Sequence, residues 1–354
     1  MQNLTRANEE LFRREPDETY ATFEDLFDAC ARSRENSRDR WAHPTSIGFT
    51  PMNGRLGIGL GDDGTFRLND WSFSQVCSLA GVSKDTLNKL SSETACQALS
   101  ETMPTGSKPL QALTTDRSGH DIVRAVHGAS YTRLYDVELL SMVREFATDF
   151  QPPQRADVGA AEDEAPRGTG LYRGEQDMFV FLIDPAGWTD IDGQAFAPGF
   201  FLWNSEVGRR SVGIQTFWFQ AVCRNHIVWD AVEVVEFSRK HTAKVHEAFD
   251  EIRRIIERLV ARRDERRDGF AKVVSAAMRA TLGDSAEDAL KQLSHRGIRA
   301  ALAKRAVEMA RESGALTLWS VVDALTRLAG ESKFIGDRTE VDTKASALLT
   351  LAAA

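Results

Sequence analysis

One stretch of this sequence, residues 200–231, constrains the fold more than any other. It begins with the apolar run FFLW and continues through the polar turn NSEVGRRS into a second apolar run, VGIQTFWF. Two strand-like runs that flank a short turn containing glycine are typical of a β-hairpin. We therefore expect a hairpin over residues 200–219, with Gly208 in a backbone conformation that other residues avoid. Asn204 and Ser205 are expected to form hydrogen bonds with the turn.

The rest of the sequence places this hairpin in a mixed protein that ends in helices. RLGIGLGDDGTFRL at 55–68 predicts a second hairpin, and MFVFLID at 178–184 predicts another strand. After Ala231, apolar residues recur every three or four positions, as they do along helices. We predict an α+β fold: a mainly antiparallel sheet with a central hairpin, packed with helices and followed by an all-helical C-terminal region. Trp319 is expected to be a core residue of the last helices.

The 354 residues exceed the usual size of a single domain. We divide the chain into a charged, partly ordered N-terminal arm at 1–50, an α+β core at 51–235 and a helical region at 236–354. Within the arm, SRENSRDR is too polar to pack. The core contains an acidic segment at 151–170, QPPQRADVGAAEDEAPRGTG, which has no aromatic residue and is expected to be a flexible insertion.

Charge and hydropathy exclude several classes of protein. No apolar run reaches the roughly 18 residues of a membrane span, and the charged first residues do not resemble a signal peptide, so we expect a cytoplasmic protein without a membrane partner. The four cysteines are scattered, which does not favour a disulfide framework. The net charge of −8 argues against a surface that wraps nucleic acid all round, but it leaves room for local basic patches.

Cations around the hairpin predict a surface for single-stranded nucleic acid. Alternation along the strand sends Phe217 and Phe219 to one face and Trp218 to the other, so we expect Trp218 or Trp203 to be exposed. Cations neutralise phosphates, and exposed rings stack on bases. The nucleic-acid-binding residues that we predict are Arg209, Arg210, Trp218, Arg224, Arg239, Lys240 and Lys244. The alternative is a sandwiched sheet with solvated arginines at a turn.

The segment SQVCSLAGVSKDTLNKL at 74–90 is similar to a DNA-binding helix-turn-helix. Its second helix, capped by Ser83 and running towards Leu99, would present Lys84, Asp85, Asn88 and Lys89. Ordinary packing of two capped helices is the favoured interpretation, because such pairs are common.

Metal and catalytic motifs are weak. Cys223, His226, His241 and His246 are residue types that bind zinc. The two last histidines, however, are five residues apart and would point about 140° apart on a helix, so we predict no metal site. The pattern G-x-G-x-G at 57–61 lies inside a predicted strand and does not open a helix, as a phosphate loop would. We find no catalytic set and predict neither catalytic residues nor a cofactor.

Five segments share a pattern with one family: YTRLYDVEL, WNSEVGRRSVGI, AVCRNHIVW, RKHT and TLWSVVDALTRLAG. In these segments the chain resembles the phage- and plasmid-associated family of domain of unknown function 932. The matching residues are Tyr131, Asn204, Ser205, Gly208, Cys223, Asn225, His241, Trp319, Ala324 and Thr326. The acidic segment at 151–170 and the additional Lys240 between Arg239 and His241 depart from the family pattern.

The resemblance implies a protein of a mobile element. We expect nucleic-acid binding in DNA recombination or maintenance, by an oligomeric single-strand-binding or annealing protein. The alternative is a non-enzymatic interaction protein that acts on a host factor to evade defence, which the acidic net charge favours, and an enzyme is the third hypothesis. A mixed-charge helix predicted at 239–268 has a narrow apolar seam, which is typical of bundles and homo-oligomers.

Overall fold

The chain has an α+β fold with two β-sheets and a helical C-terminal region, as the sequence predicts. The computed structural model describes residues 10–106, 108–117, 120–153, 170–220, 226–229, 236–312 and 314–353. None of the helices in these ranges combines the length and the apolar composition that a membrane crossing requires.

The elements follow one another in this order: β1 (Glu18–Thr19), α1 (Phe23–Glu35), β2 (Ser37–Ala42), β3 (Ile47–Met52), β4 (Arg55–Leu60), β5 (Thr65–Leu68), α2 (Asp70–Leu79), α3 (Lys84–Leu87), α4 (Ser92–Thr102), β6 (Leu110–Arg117), β7 (His120–Gly128), α5 (Asp136–Phe146), β8 (Leu171–Arg173), β9 (Met178–Ile183), β10 (Thr189–Ile191), β11 (Gln194–Asn204), β12 (Val212–Gln220), β13 (His226–Trp229), β14 (Glu236–Arg239), α6 (Ala248–Ala261), α7 (Arg263–Arg279), α8 (Ala286–His295), α9 (Ala300–Glu312), α10 (Leu318–Ala329), α11 (Ile335–Ser346) and α12 (Thr350–Ala353).

The first sheet has six strands in the order β2-β6-β7-β5-β4-β3, and its neighbours are antiparallel except for β5 and β7. The predicted hairpin at 55–68 is confirmed as the pair β4 and β5. Side chains alternate along these strands, so Ile58 and Phe66 are buried in one core with residues of α2 and α4. The opposite face carries Gly57, Gly59 and Arg67, and it forms part of the candidate site.

The sequence prediction for the N-terminal arm was wrong at SRENSRDR, which ends α1 and continues into β2. Strand β2 pairs with β6 over its whole length. Its polar groups are satisfied by residues that are distant in the sequence: Ser37 Oγ lies 3.0 Å from Thr115 Oγ1, and Arg133 forms a 2.8 Å ion pair with Asp39. A polar strand packs where such partners meet it, which local composition does not reveal.

The second sheet has eight strands, all antiparallel to their neighbours, in the order β1-β8-β9-β11-β12-β13. Strand β10 pairs with β11, and β14 pairs with β12. The predicted central hairpin is confirmed, because β11 and β12 pair from Phe196 opposite Gln220 to Trp203 opposite Gly213. In the acidic segment, Gln151 bridges Ile183, and residues 154–169 lie outside the described residues.

Helices cover one face of the second sheet along its whole length. At one end, Phe200, Leu202 and Ile214 pack with residues of α1, α5 and α6. At the other end, Phe196 and Trp218 belong to the core of the C-terminal helices. The opposite face of the sheet carries an aromatic cluster of Phe179, Phe181, Phe201, Trp203, Phe217 and Phe219, closed in part by Ile335 of α11.

The helical region begins later than the sequence predicts. Residues 236–239 form β14, and the predicted helix at 239–268 is divided between α6 and α7, which meet at Arg262. The remaining helices, α8 to α12, complete the helical C-terminal region. They pack around Trp319, which is 6% exposed and contacts Phe196 edge to face at 5.6 Å. The prediction that Trp319 is a core residue is confirmed.

Candidate functional site: an arginine-lined cleft

A cleft of about 600 Å³ lies between the six-stranded sheet and the N-terminal part of the chain. Its walls are the second face of the sheet, one face of α1, the segment 12–20 and the turn that follows β8. Six arginines and four carboxylates line it: Arg13, Arg32, Arg55, Arg67, Arg124, Arg173, Glu15, Glu18, Asp70 and Glu175. Among the side chains that line the cleft, the arginines outnumber the carboxylates by two.

The floor of the cleft is a buried ion-pair network. Arg124 and Arg173 form ion pairs of 2.6 and 2.9 Å with the same oxygen of Glu206, and Arg173 also pairs with Asp136 at 3.2 Å. Ser33 Oγ accepts hydrogen bonds from both guanidinium groups, at 3.3 and 2.9 Å. This network joins the first sheet, which supplies Arg124, to α1, α5 and the second sheet.

The two acids of the floor, Asp136 and Glu206, have pKa values that are shifted in opposite directions. Burial and, after it, the nearby Glu206 carboxylate together raise the pKa of Asp136 to about 7. Burial also opposes ionisation of Glu206, but Arg124 and Arg173 outweigh it and hold the pKa of Glu206 below its ordinary value. Glu206 is thus the anion that binds the two arginines.

One wall of the cleft is acidic. Burial, followed by the carboxylates of Asp70 and Glu15, raises the pKa of Glu175 to about 7. Glu175 Oε2 is buried and has no hydrogen-bond partner among the described residues. Asp70, in contrast, receives two hydrogen bonds of 2.7 Å from Lys84.

This contact of Lys84 with Asp70 favours ordinary packing of the segment 74–90 over a DNA-binding helix-turn-helix. Asn69 and Ser83 cap α2 and α3, but α3 ends at Leu87 instead of running towards Leu99. Asn88, which would face DNA in a recognition helix, is buried. Its side-chain amide accepts a hydrogen bond from the backbone N–H of Phe12 and donates one to the Phe12 carbonyl, both of 2.8 Å. Lys84 and Asn88 are therefore used inside the protein, whereas Asp85 and Lys89 are exposed.

Two of the three arginines at the mouth of the cleft are more exposed than those of its floor. Arg32 and Arg55 are exposed and Arg67 is half-buried. In the described part of the chain, none of the three forms an ion pair or a side-chain hydrogen bond, whereas Arg13 pairs with Glu10. The mouth therefore presents three cations that are free to meet an anion.

The expected exposed ring of the hairpin is not exposed. Trp218 is fully buried, and its ring lies 4.5 Å from that of Phe270, almost parallel to it. Trp203 is 7% exposed and packs on Phe201. The alternation of Phe217, Phe219 and Trp218 is as predicted, but helix α7 covers the face that carries Trp218, so this ring is a core residue.

The predicted hairpin cations fall into two groups. In the hairpin turn, Arg210 forms an ion pair of 3.1 Å with buried Asp177, and exposed Arg209 lies over the ring of Trp71. Near the end of β14, Arg239 and Lys244 both pair with Glu247, at 2.7 and 3.8 Å. Lys240 is exposed, and Arg224 lies outside the described residues.

The hairpin turn lies beside the turn that forms a wall of the cleft. Ser205 Oγ donates a 2.6 Å hydrogen bond to the carbonyl of Gln176, and it accepts one of 2.8 Å from the backbone of Arg209. Ser205 thus bonds the turn as predicted, while Asn204 reaches instead to Leu134 and Asp136. Arg209 and the cleft arginines therefore lie on neighbouring parts of the surface.

Several residues of the family motifs meet in one place. Gly208 has φ 77°, as predicted, and a Cβ atom there would lie 2.5 Å from the ring of His127. The rings of His127, Tyr131 and His241 form a stack, with centroids 3.7 and 5.3 Å apart. Tyr131 Oη donates to the carbonyls of Ser205 and Glu206, so the stack packs against the backbone of the hairpin turn.

The zinc pattern finds no support in the described residues, where no group of three metal-binding side chains occurs. His241 is buried in the stack, and His246 lies half exposed, 3.8 Å from Glu138. Cys223 and Asn225, as well as the side chain of His226, fall outside the described part of the structure.

The fold and the site define an α+β protein with an arginine-lined cleft between its first sheet and its N-terminal helix. A family model described as a domain of unknown function (DUF932) matches residues 165–346, about half of the chain, and the chain belongs to this family. The matched part contains Arg173, Glu175 and Glu206, whereas the mouth arginines precede it. No curated protein matches the sequence, and no solved structure matches the fold.

Proposed function

We propose that the protein binds single-stranded nucleic acid and that the arginine-lined cleft makes the phosphate contacts. The observation that carries this proposal is the convergence of Arg32, Arg55 and Arg67 on one cleft without ion-pair partners in the described part of the chain. Phosphate neutralisation by arginine and lysine supplies most of the affinity in binding that does not depend on sequence. A role in the DNA maintenance or recombination of a mobile element is the setting that the family resemblance implies.

The sheet face next to the mouth favours a ligand with a long backbone. Gly48 pairs with Gly59 across β3 and β4, and a Cβ atom added at Gly48 would meet nothing within 4 Å. At Gly59 it would meet only backbone atoms of Gly48, at 3.8 and 3.9 Å. At these two glycines a nucleic-acid strand can approach the sheet closely, whereas at Gly57, which pairs with Arg67, the side chains of Thr65, Met52 and Thr50 fill the space.

An exposed ring is present, although not in the hairpin. Trp41 on β2 is 52% exposed. It lies on the same face of β2 as Ser37, whose hydroxyl contacts Thr115 at the cleft. Trp41 is four positions after Ser37 on β2, which corresponds to about 13 Å. One bound nucleic-acid strand can span this distance. A base stacked on Trp41 would supply the contribution first expected from Trp218.

The net charge of −8 opposes binding at long range, so we expect weak affinity except at low salt. Anisotropy titrations with a labelled oligonucleotide test the cleft. The double variant Arg55→Gln/Arg67→Gln should weaken binding and reduce the slope of log affinity against log salt by about 1.4, since each lost contact removes about 0.7.

A matched control is available on α6. Arg253 and Arg254 are surface residues that pair with Asp250 and Glu251 on their own helix. The variant Arg253→Gln/Arg254→Gln changes the net charge equally and should leave the slope unchanged. Equal effects of the two double variants would refute the cleft as the site. Absence of any association at micromolar protein would refute the proposed function and favour an interaction protein instead.

A further inference from the structure

The cleft is closed at its floor, which limits what part of a strand can enter it. The sheet, α1, segment 12–20 and the turn after β8 surround it, and Arg124 and Arg173 are only 14% and 11% exposed at its base. Beneath them lies Glu206, at 5%. An internal segment of a strand needs an entrance and an exit, so a strand that reaches this floor must do so with its end.

The floor also has unused hydrogen-bond donors. Arginine carries five N–H groups. Arg124 uses Nη1 and Nη2, and Arg173 uses Nε and Nη2, on Ser33, Glu206 and Asp136. Arg124 Nε and Arg173 Nη1 donate to no other described residue. The Ser33 hydroxyl accepts from both guanidinium groups, so its own proton is available to an acceptor in the cleft.

We infer that the cleft holds the terminal nucleotide of a single strand, with a terminal phosphate monoester on the floor formed by Arg124, Ser33 and Arg173. This inference rests on the proposed function and adds that the bound part is an end. A monoester carries −1.5 to −2 charges near pH 7 and has three acceptor oxygens, so it suits two guanidinium groups better than an internal diester does.

The acidic wall completes the recognition of a nucleotide. Glu15 and Glu175 line the same cleft as the arginines, and carboxylates accept hydrogen bonds from the amino groups of bases. Because burial raises the pKa of Glu175 to about 7, part of its negative charge is absent at neutral pH, which reduces its repulsion of the phosphate. The base is thus directed to one wall and the phosphate to the floor.

Competition between oligonucleotides of one sequence tests the inference. Linear strands with a 5′-phosphate, a 3′-phosphate or two hydroxyl ends are compared with the circular strand. At least one phosphorylated strand should bind about tenfold more tightly than the hydroxyl-ended strand, the effect expected for a charged hydrogen-bonded group. The circular strand should bind no better than the hydroxyl-ended one.

The outcomes separate this inference from the proposed function. If the circular strand competes as well as the phosphorylated strands, nucleic-acid binding stands and the end-binding inference is overturned. If no strand binds, the proposed function itself fails. A free nucleoside monophosphate that competes as well as the phosphorylated strand would overturn the strand-end assignment in favour of a free nucleotide.

Two substitutions of Ser33 provide a test within the protein. In Ser33→Asp, the new carboxylate takes the place of the phosphate between Arg124 and Arg173, and the preference for a phosphorylated end should disappear while hydroxyl-ended strands still bind. Ser33→Asn has a similar size and no charge, and it should keep most of the preference. Urea unfolding confirms that both variants are folded. Full preference in Ser33→Asp would overturn the inference.

Discussion

Asn204 donates a hydrogen bond of 2.8 Å to the Asp136 carboxyl group, although 68 residues separate the two in the chain. A second hydrogen bond from the same amide reaches the carbonyl of Leu134 at 3.0 Å. Asp136 also pairs with Arg173 at the floor of the cleft. Asn204 therefore connects the end of β11 to the start of α5 and supports the floor without lining the cleft.

Substitutions of Asn204 should destabilise the protein in two distinguishable ways. Asn204→Leu leaves Asp136 and the Leu134 carbonyl without this donor, which costs about 1–3 kcal/mol for each buried group. Asn204→Asp places a second carboxyl group beside Asp136, whose pKa burial and Glu206 already raise, so its loss of stability should be larger at pH 8 than at pH 5. Urea unfolding at both pH values measures this. A pH-independent loss in Asn204→Asp would contradict the assignment.

Trp41 should contribute to single-strand binding independently of salt. Its ring is half exposed on the face of β2 that also carries Ser37, whose hydroxyl contacts Thr115 of the cleft lining. Stacking of one base on an aromatic ring is worth roughly 1–3 kcal/mol, so Trp41→Ala should weaken binding by that amount at every salt concentration. Trp41→Phe keeps a stacking surface and is the control. Unchanged affinity in Trp41→Ala would show that the bound strand does not reach β2.

His241 should make the protein less stable as the pH falls below neutral. Burial, followed by the positive charge of Arg133, lowers the pKa of His241 to about 4, whereas a histidine in the unfolded chain has a pKa near 6.5. Between these values the unfolded chain binds the proton and the folded protein does not. The stability that neutral His241 provides is thus fully present above pH 6.5 and is lost as the pH falls towards 4.

The variant His241→Phe isolates this effect because it keeps a ring against Tyr131 and removes the titration. The stability of wild type relative to His241→Phe should fall by about 1–2 kcal/mol between pH 7 and 5. The comparison is needed because Glu175 and Asp136, with pKa values raised to about 7, act in the opposite direction: their protonation below pH 7 favours the folded state. A constant difference between the two proteins would contradict the prediction.

Local patterns in the sequence predict the hairpin and most helices, because neighbouring residues determine them. Gly208 illustrates this, since the turn requires the positive φ that glycine adopts freely. The surroundings of Trp218 are different. Its alternation is local, but its burial results from contact with Phe270, far along the chain. The formation of the polar strand β2 likewise depends on contacts with Thr115 and Arg133, which are distant in the sequence.

The cleft could not be assembled from the sequence for the same reason. Its arginines come from six separate segments, and each one taken alone is typical of a solvated charge. A signal was present in Arg55 and Arg67, which alternate with core residues on strands whose other outward positions include glycine. Cations on the open face of an amphipathic strand indicate a binding face, although the partner elements remain unknown until the sheet order is known.

Trp319→Ala should cost roughly 3–5 kcal/mol of stability, the range for removal of a large buried aromatic side chain. Trp319 is 6% exposed and contacts Phe196, so its loss opens a cavity between the C-terminal helices and the second sheet. Trp319→Phe fills part of that space and should cost less. Urea unfolding of the two variants measures the difference. An unchanged midpoint in Trp319→Ala would show that the helices do not depend on this contact with the sheet.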